Sequence, residues 1–250
     1  MNTAAEHDCS QPFQRLAILG ESTVEGGDWV TTRADRYADI LVQLINRVQA
    51  EPVEYINAGI GASVISPRSP GYAASRKPSA LERYAEDVIA ARPDLFLMAY
   101  GLNDMRASMP LDLFMEDLET IVRDVQQACQ PLVVLVSVYH MTGYEWYPPF
   151  DRGSVAATQR YNAALRELAA RSGSLYADVY DAEGRADSVI HQDGVHANEV
   201  GNLLIAHKIF ELLATHCPGL SVAVRERDEA SAWTASTRKE RHGGIEPLDP

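Results

Sequence analysis

Four short segments of this 250-residue chain carry residue types that can cleave an acyl group. In chain order they are Gly20-Glu21-Ser22, Asn57-Ala58-Gly59-Ile60-Gly61-Ala62, Gly101-Leu102-Asn103-Asp104 and Asp193-Gly194-Val195-His196. A serine hydroxyl is a poor nucleophile until a neighbouring base takes its proton. His196 can be that base for Ser22. Asp193, three residues before it in the same loop, can hold one ring nitrogen while the other faces the serine. The amide of Asn103, just past a glycine turn, can donate to an oxygen that is gaining negative charge. Plainer roles compete. Ser22 can simply cap a helix, Asn103-Asp104 can be an ordinary turn, and Asp193 and Asn198 can be helix-start residues. The joint occurrence of all four segments favours the chemical reading.

Other motifs fare worse. Ser22 does not sit in a G-x-S-x-G elbow, because Val24 holds the last position. Gly59-Ile60-Gly61 after a strand resembles half of a dinucleotide fingerprint. Val64 stands where the third glycine is needed, and Pro67 and Pro70 forbid the helix that would hold a pyrophosphate. His191 and His196 have no obvious third ligand nearby, so a metal site is not expected.

These residues need a scaffold. Residues 16–19, 53–56, 95–100, 132–139 and 175–179 are near-continuous apolar runs, the pattern of parallel strands covered on both faces. Between them lie amphipathic helical patterns at 36–48, 79–91, 113–129 and 159–171, and a last one at 199–215 with Asn198 as its cap. Strand and helix alternate, which predicts an α/β fold of three layers around a five-stranded, mostly parallel sheet. Three of the four segments then follow strands, and ligands bind at the carboxyl ends of strands in such sheets. Residues 66–78, with three prolines, read as a loop. Residues 141–154 form an aromatic loop, in which Tyr144, Trp146 and Tyr147 are candidates for a wall around the substrate.

Composition narrows the function. The chain is 46% hydrophobic, enough for one domain with a sizeable core. A polar extension is expected over 1–14, the domain over 15–224 and a charged tail over 225–250. The net charge of −13 argues against a nucleic-acid partner. No apolar run is long enough to insert in a membrane. Cys9, Cys129 and Cys217 suggest no disulfide framework, and a cytoplasmic location is expected.

The four segments and their order resemble the SGNH/GDSL hydrolase superfamily over about residues 16–213, and that family has a flavodoxin-like form of this α/β fold. The resemblance implies a serine esterase that cleaves an acyl or O-acetyl ester of a small molecule or carbohydrate through an acyl-serine intermediate. It implies Ser22, Asp193 and His196 as catalytic residues and needs no metal or organic cofactor. It further implies an oxyanion hole made by the N–H of Ser22, the backbone of Gly61 or Ala62, and Asn103. Glu21 stands where the family more often has aspartate, at a position that supports the turn. Ala197 stands where proline is frequent. An acyltransferase using the same site, or a catalytically silent glycan- or acyl-binding protein, fits the same pattern.

Overall fold

The computed structural model describes residues 9–145 and 147–229. Its elements follow in order: β1 (Arg15–Gly20), α1 (Ser22–Glu25), α2 (Tyr37–Val48), β2 (Glu54–Gly59), α3 (Tyr72–Ser75), α4 (Ala80–Tyr84), β3 (Leu95–Ala99), α5 (Leu102–Arg106), α6 (Leu111–Cys129), β4 (Leu132–Val136), α7 (Val155–Ser172), β5 (Leu175–Ala177), α8 (Val179–Ala182), α9 (Glu199–His216) and α10 (Pro218–Glu229). The five strands form one parallel sheet in the order β2-β1-β3-β4-β5. Helices α2, α9 and α10 pack together on one side, and α4, α6 and α7 pack together as a second group. The expected three-layer α/β fold is therefore present.

The apolar runs explain the strands. Leu16, Ile18 and Leu19 of β1, Leu95–Leu97 of β3 and Val134–Leu135 of β4 have no solvent exposure. A strand covered on both faces gains from apolar residues at every position, not at alternate ones. From β1 the chain passes to β2 on one side and then to β3 on the other. The loops after β1 and β3 therefore diverge at a switch point and leave a crevice there. Register places their exits level, with Gly20 opposite both Gly59 and Ala99.

Several elements differ from the sequence expectation. β4 ends at Val136 and not at residue 139: Ser137 N–H makes one more bond to Ala177 O of β5 at 3.0 Å, and its Oγ accepts the N–H groups of Val179 and Tyr180 at 3.0 and 3.1 Å. Val138 and Tyr139 remain buried after the strand has ended, so the apolar pattern overruns it. The helix expected over 79–91 is α4 followed by a π-helical turn, Ala85–Ile89, in which Ala90 N–H reaches back to Ala85 O. α7 begins early, at Val155, capped by Ser154 Oγ on Ala157 N–H at 3.1 Å. Past residue 224, α10 continues to Glu229.

One buried side chain ties the strand ends together. The Arg83 guanidinium donates to Gly20 O (3.0 Å) at the end of β1, Ala58 O (2.8 Å) in β2, Tyr100 Oη (2.7 Å) just after β3 and Asp87 (2.6 Å). Carbonyls at the end of a parallel sheet must find donors, and this residue supplies them away from water. Replacing Arg83 with Met should remove all four of these bonds, leave Asp87 without its ion pair and lower stability by about 3 kcal/mol, read as the shift in a urea unfolding midpoint. A change within about 0.5 kcal/mol would mean the carbonyls find other donors.

A buried carboxyl sits beneath α9. One oxygen of Glu183 accepts His140 N–H at 3.0 Å, and the other has no partner among the described residues. Gly201 of α9 lies so close that a Cβ there would meet Glu183 Oε1 at 3.1 Å. Burial raises this carboxyl from 4.5 to about 8, opposed only by the His140 N–H. The native state thus keeps a proton that the unfolded chain has lost, so this group's contribution to stability falls as pH rises through that window. Glu183→Gln should flatten the wild-type loss of stability between about pH 5 and about pH 8 by on the order of 2 kcal/mol in urea titrations. An unchanged slope would place that proton elsewhere.

Candidate active site

Ser22 is the first residue of α1, immediately after a turn that Glu21 anchors. Glu21 is buried, and its carboxylate accepts three successive N–H groups at the start of α5: Gly101 (2.8 Å), Leu102 (3.1 Å) and Asn103 (3.0 Å). The residue before Ser22 is thereby tied to the backbone of Asn103. Burial, and Asp104 nearby, push the Glu21 carboxyl up to about 8, while the three N–H groups pull it down. Gly101 turns into α5 at φ 124°, a conformation that favours glycine. On the other side α1 lies directly on the end of β2, where a Cβ on Gly59 would come within 2.2 Å of Glu25 N.

The loop before α9 delivers the histidine. Asp193 Oδ1 accepts the N–H groups of Val195 (2.8 Å) and His196 (2.9 Å), which folds the loop back on itself. Its other oxygen meets His196 Nδ1 at 2.6 Å, and His196 Nε2 lies 2.8 Å from Ser22 Oγ. A carboxylate can only accept, so Nδ1 carries the proton and Nε2 is left to accept from the serine hydroxyl. Burial raises the Asp193 carboxyl, but the His196 ring and the two N–H groups outweigh it and hold the group well below the ordinary carboxylate range. The aspartate is thus kept ionised beside the ring. Asn198 Oδ1 caps α9 through Val200 and Gly201 N–H at 3.0 and 3.1 Å, which fixes the end of the loop.

Donors surround the serine. Ser22 N–H is at the first position of α1 and has no intrahelical acceptor. A Cβ placed on Gly61 would lie 3.8 Å from Ser22 Cβ, so the second loop runs beside the serine. Gly61 N–H is already engaged by Glu25 Oε2 at 2.7 Å. Ala62 N–H has no acceptor among the described residues, and Ala62 adopts φ 61°, a left-handed conformation unfavourable to alanine. Asn103 Nδ2 donates one hydrogen to Ser63 O at 3.0 Å, which leaves its second hydrogen for another acceptor. Asp104 accepts Ile65 N–H at 3.0 Å and so braces the same loop. Burial pushes its carboxyl up to about 7.

Of the expected aromatic wall, Tyr144 packs against the core and Tyr147 is 61% exposed, while Trp146 lies outside the described residues. Their loop is joined to the histidine loop, since Thr142 and Gly143 N–H both donate to Gly194 O, at 2.8 and 2.7 Å. His191 Nδ1 stands 3.3 Å from Asp193 Oδ2, and no group of three metal-ligating side chains occurs among the described residues.

Residues that sequence reasoning passed over complete the surroundings. Glu25 holds Gly61. Trp29 lies flat against the His196 ring, with centroids 3.6 Å apart and planes 4° from parallel. Beside α1 a groove of about 410 Å³ is lined by Glu25, Gly27, Thr31, Arg33 and Arg36. Trp29 follows two glycines in a loop with no periodicity, so nothing in its neighbourhood pointed at His196.

Comparison with known proteins agrees with this picture. The GDSL-like Lipase/Acylhydrolase family profile matches residues 18–204. An acetylxylan esterase of Geobacillus stearothermophilus is 22% identical over 215 residues, covering 77% of this chain and 90% of that protein. A solved structure of the acetylxylan esterase of that organism superposes with a TM-score of 0.62 at 19% identity, covering 82% of this chain and 95% of that one. Structures of its catalytic mutants replace a serine, an aspartate or a histidine. The lipase/acylhydrolase of Enterococcus faecalis superposes with a TM-score of 0.65 at 19% identity, covering 81% of this chain and 96% of that one. With a profile match that runs from β1 into α9, the chain belongs to the GDSL-like lipase/acylhydrolase family.

Proposed function

We propose that this esterase removes short acyl groups, with O-acetyl esters of carbohydrates as the substrate class, through an acyl-serine intermediate. The observation that carries the reading is the continuous chain of contacts from Asp193 through His196 to Ser22, at 2.6 and 2.8 Å. Ser22 Oγ attacks the ester carbonyl as its proton passes to His196 Nε2. Asp193, held ionised, stabilises the imidazolium that results. Negative charge then gathers on the former carbonyl oxygen, where Ser22 N–H, Ala62 N–H and the Asn103 amide are the assigned donors. His196 returns the proton to the departing alcohol, which leaves the acyl group on Ser22. Water, activated by the same ring, releases the acid and restores the serine.

The carbohydrate assignment draws on relatives named as acetylxylan esterases and on a structural neighbour described as a two-domain esterase active on acetylated mannans. The groove beside α1 has room for the alcohol part, and its Thr31, Thr32 and Arg33 can serve sugar hydroxyls. Tyr147, exposed on the loop that follows β4, presents the kind of surface on which a sugar or short acyl group can rest.

Ser22→Ala should lower kcat on p-nitrophenyl acetate by about 10⁴-fold with an unchanged melting temperature. A fluorophosphonate label should map to Ser22. More than a tenth of normal kcat in the alanine variant rules out the serine mechanism. Asn103→Ala should cost about 10²–10³-fold in kcat at similar KM, because the amide acts mainly as charge develops. An effect on KM alone makes Asn103 a ground-state contact instead. For the substrate class, acetylated xylo- and manno-oligosaccharides are compared with p-nitrophenyl esters of increasing chain length. Higher kcat/KM on the sugars, reduced by Tyr147→Ala without loss of stability, is the expected result. A rising preference for longer acyl chains would redirect the assignment to lipids.

A further inference from the structure

We propose that Trp29 is a positioning residue for His196, one that sets the plane of the imidazole and favours its charged form. The inference rests on the serine mechanism proposed above. A centroid separation of 3.6 Å between planes 4° from parallel is close to the contact distance of stacked carbon atoms, so the two rings overlap with little lateral offset. Two neutral rings prefer an offset or an edge-on arrangement, because their negative faces repel. A cation over an aromatic face is attracted, and indole is the strongest such face. The observed stack therefore suits the imidazolium better than the neutral ring. The imidazolium is the form His196 must take while it holds the Ser22 proton.

The segment around Trp29 is built to keep the indole there. A Cβ on Gly27 would stand 2.2 Å from the Trp29 ring, so only glycine lets the indole lie against its own backbone. Val30, the next residue, is buried. Thr31 then binds the first residue of α9: its N–H donates to Glu199 Oε1 at 3.1 Å, and its hydroxyl donates to the same oxygen. Glu199 is three residues after His196, so one strap grips the histidine loop at its ring and just beyond it. The ring's two nitrogens are already committed to Asp193 and Ser22. Rotation about the Cβ–Cγ bond would swing both nitrogens off these partners, and a flat surface across one face opposes that swing.

The test compares Trp29→Leu, which keeps apolar bulk, with Trp29→Phe, which keeps an aromatic face. On p-nitrophenyl acetate, Trp29→Leu should lower kcat by roughly tenfold at unchanged KM, and Trp29→Phe should recover most of it. In wild-type NMR spectra the His196 ring protons should be shifted upfield by the indole, and that shift should vanish in Trp29→Leu. Melting temperatures of both variants check that the fold is intact. Wild-type kcat in Trp29→Leu, or a rise in KM alone, overturns the proposal: the first makes the stack mere packing, the second a substrate contact. Ser22→Ala run in parallel separates the two readings. Retained activity there overturns the serine mechanism and this role with it. A dead Ser22→Ala beside a fully active Trp29→Leu overturns the role of Trp29 alone.

Discussion

The site depends on one carboxylate that does no chemistry. Glu21 accepts three consecutive N–H groups at the opening of α5, and by doing so locks the end of β1 to the end of β3. A helix start leaves its first N–H groups without partners, and a buried acid is one of the few groups able to take several at once. Ser22 follows Glu21 directly, and Asn103 donates to it directly. The separation between Ser22 and the Asn103 amide, both proposed to act on one oxygen, is therefore set by one side chain. Glutamate reaches further than aspartate by one methylene, and here that extra length spans the gap between the two loops.

The acids around this centre diverge according to their surroundings. Glu21, Asp104 and Glu183 are buried, and burial raises all three. Asp193 is partly exposed and receives two N–H groups and a ring nitrogen, and it is lowered instead. The same functional group thus braces the backbone in three places and holds a charge in the fourth. What separates these roles is the depth of burial and, at Asp193, the His196 ring, not residue type.

Much of this architecture is legible in the sequence. Parallel strands covered on both faces show as unbroken apolar runs, and the motif residues sit just after them. β1, β3 and the α9 cap at Asn198 are therefore readable to within about two residues, the usual uncertainty of element ends, whereas β2 runs three residues past its expected end and takes in Asn57, Ala58 and Gly59. The end of β4 is not readable, because Val138 and Tyr139 stay buried after leaving the sheet. Neither is the engagement of the Gly61 N–H, which Glu25 takes from 36 positions away. Arg83 reads as an ordinary polar position on a helix, yet it donates to carbonyls at the ends of two strands. Long side chains reaching across the fold leave no local pattern, and Trp29 was missed for the same reason.

The order of the parts along the chain has a consequence for synthesis. Ser22 lies on the first strand-to-helix turn, and the histidine beside it is 174 residues further on. At about 5–20 residues per second, a ribosome takes roughly 10–35 s to cover that distance. Through that interval Ser22 is an ordinary alcohol with no base to activate it. Under the proposed serine mechanism, a nascent or truncated chain that stops short of His196 carries an inert serine, however well its first strands have formed. Activity would then report the docking of the histidine loop and not the formation of the sheet.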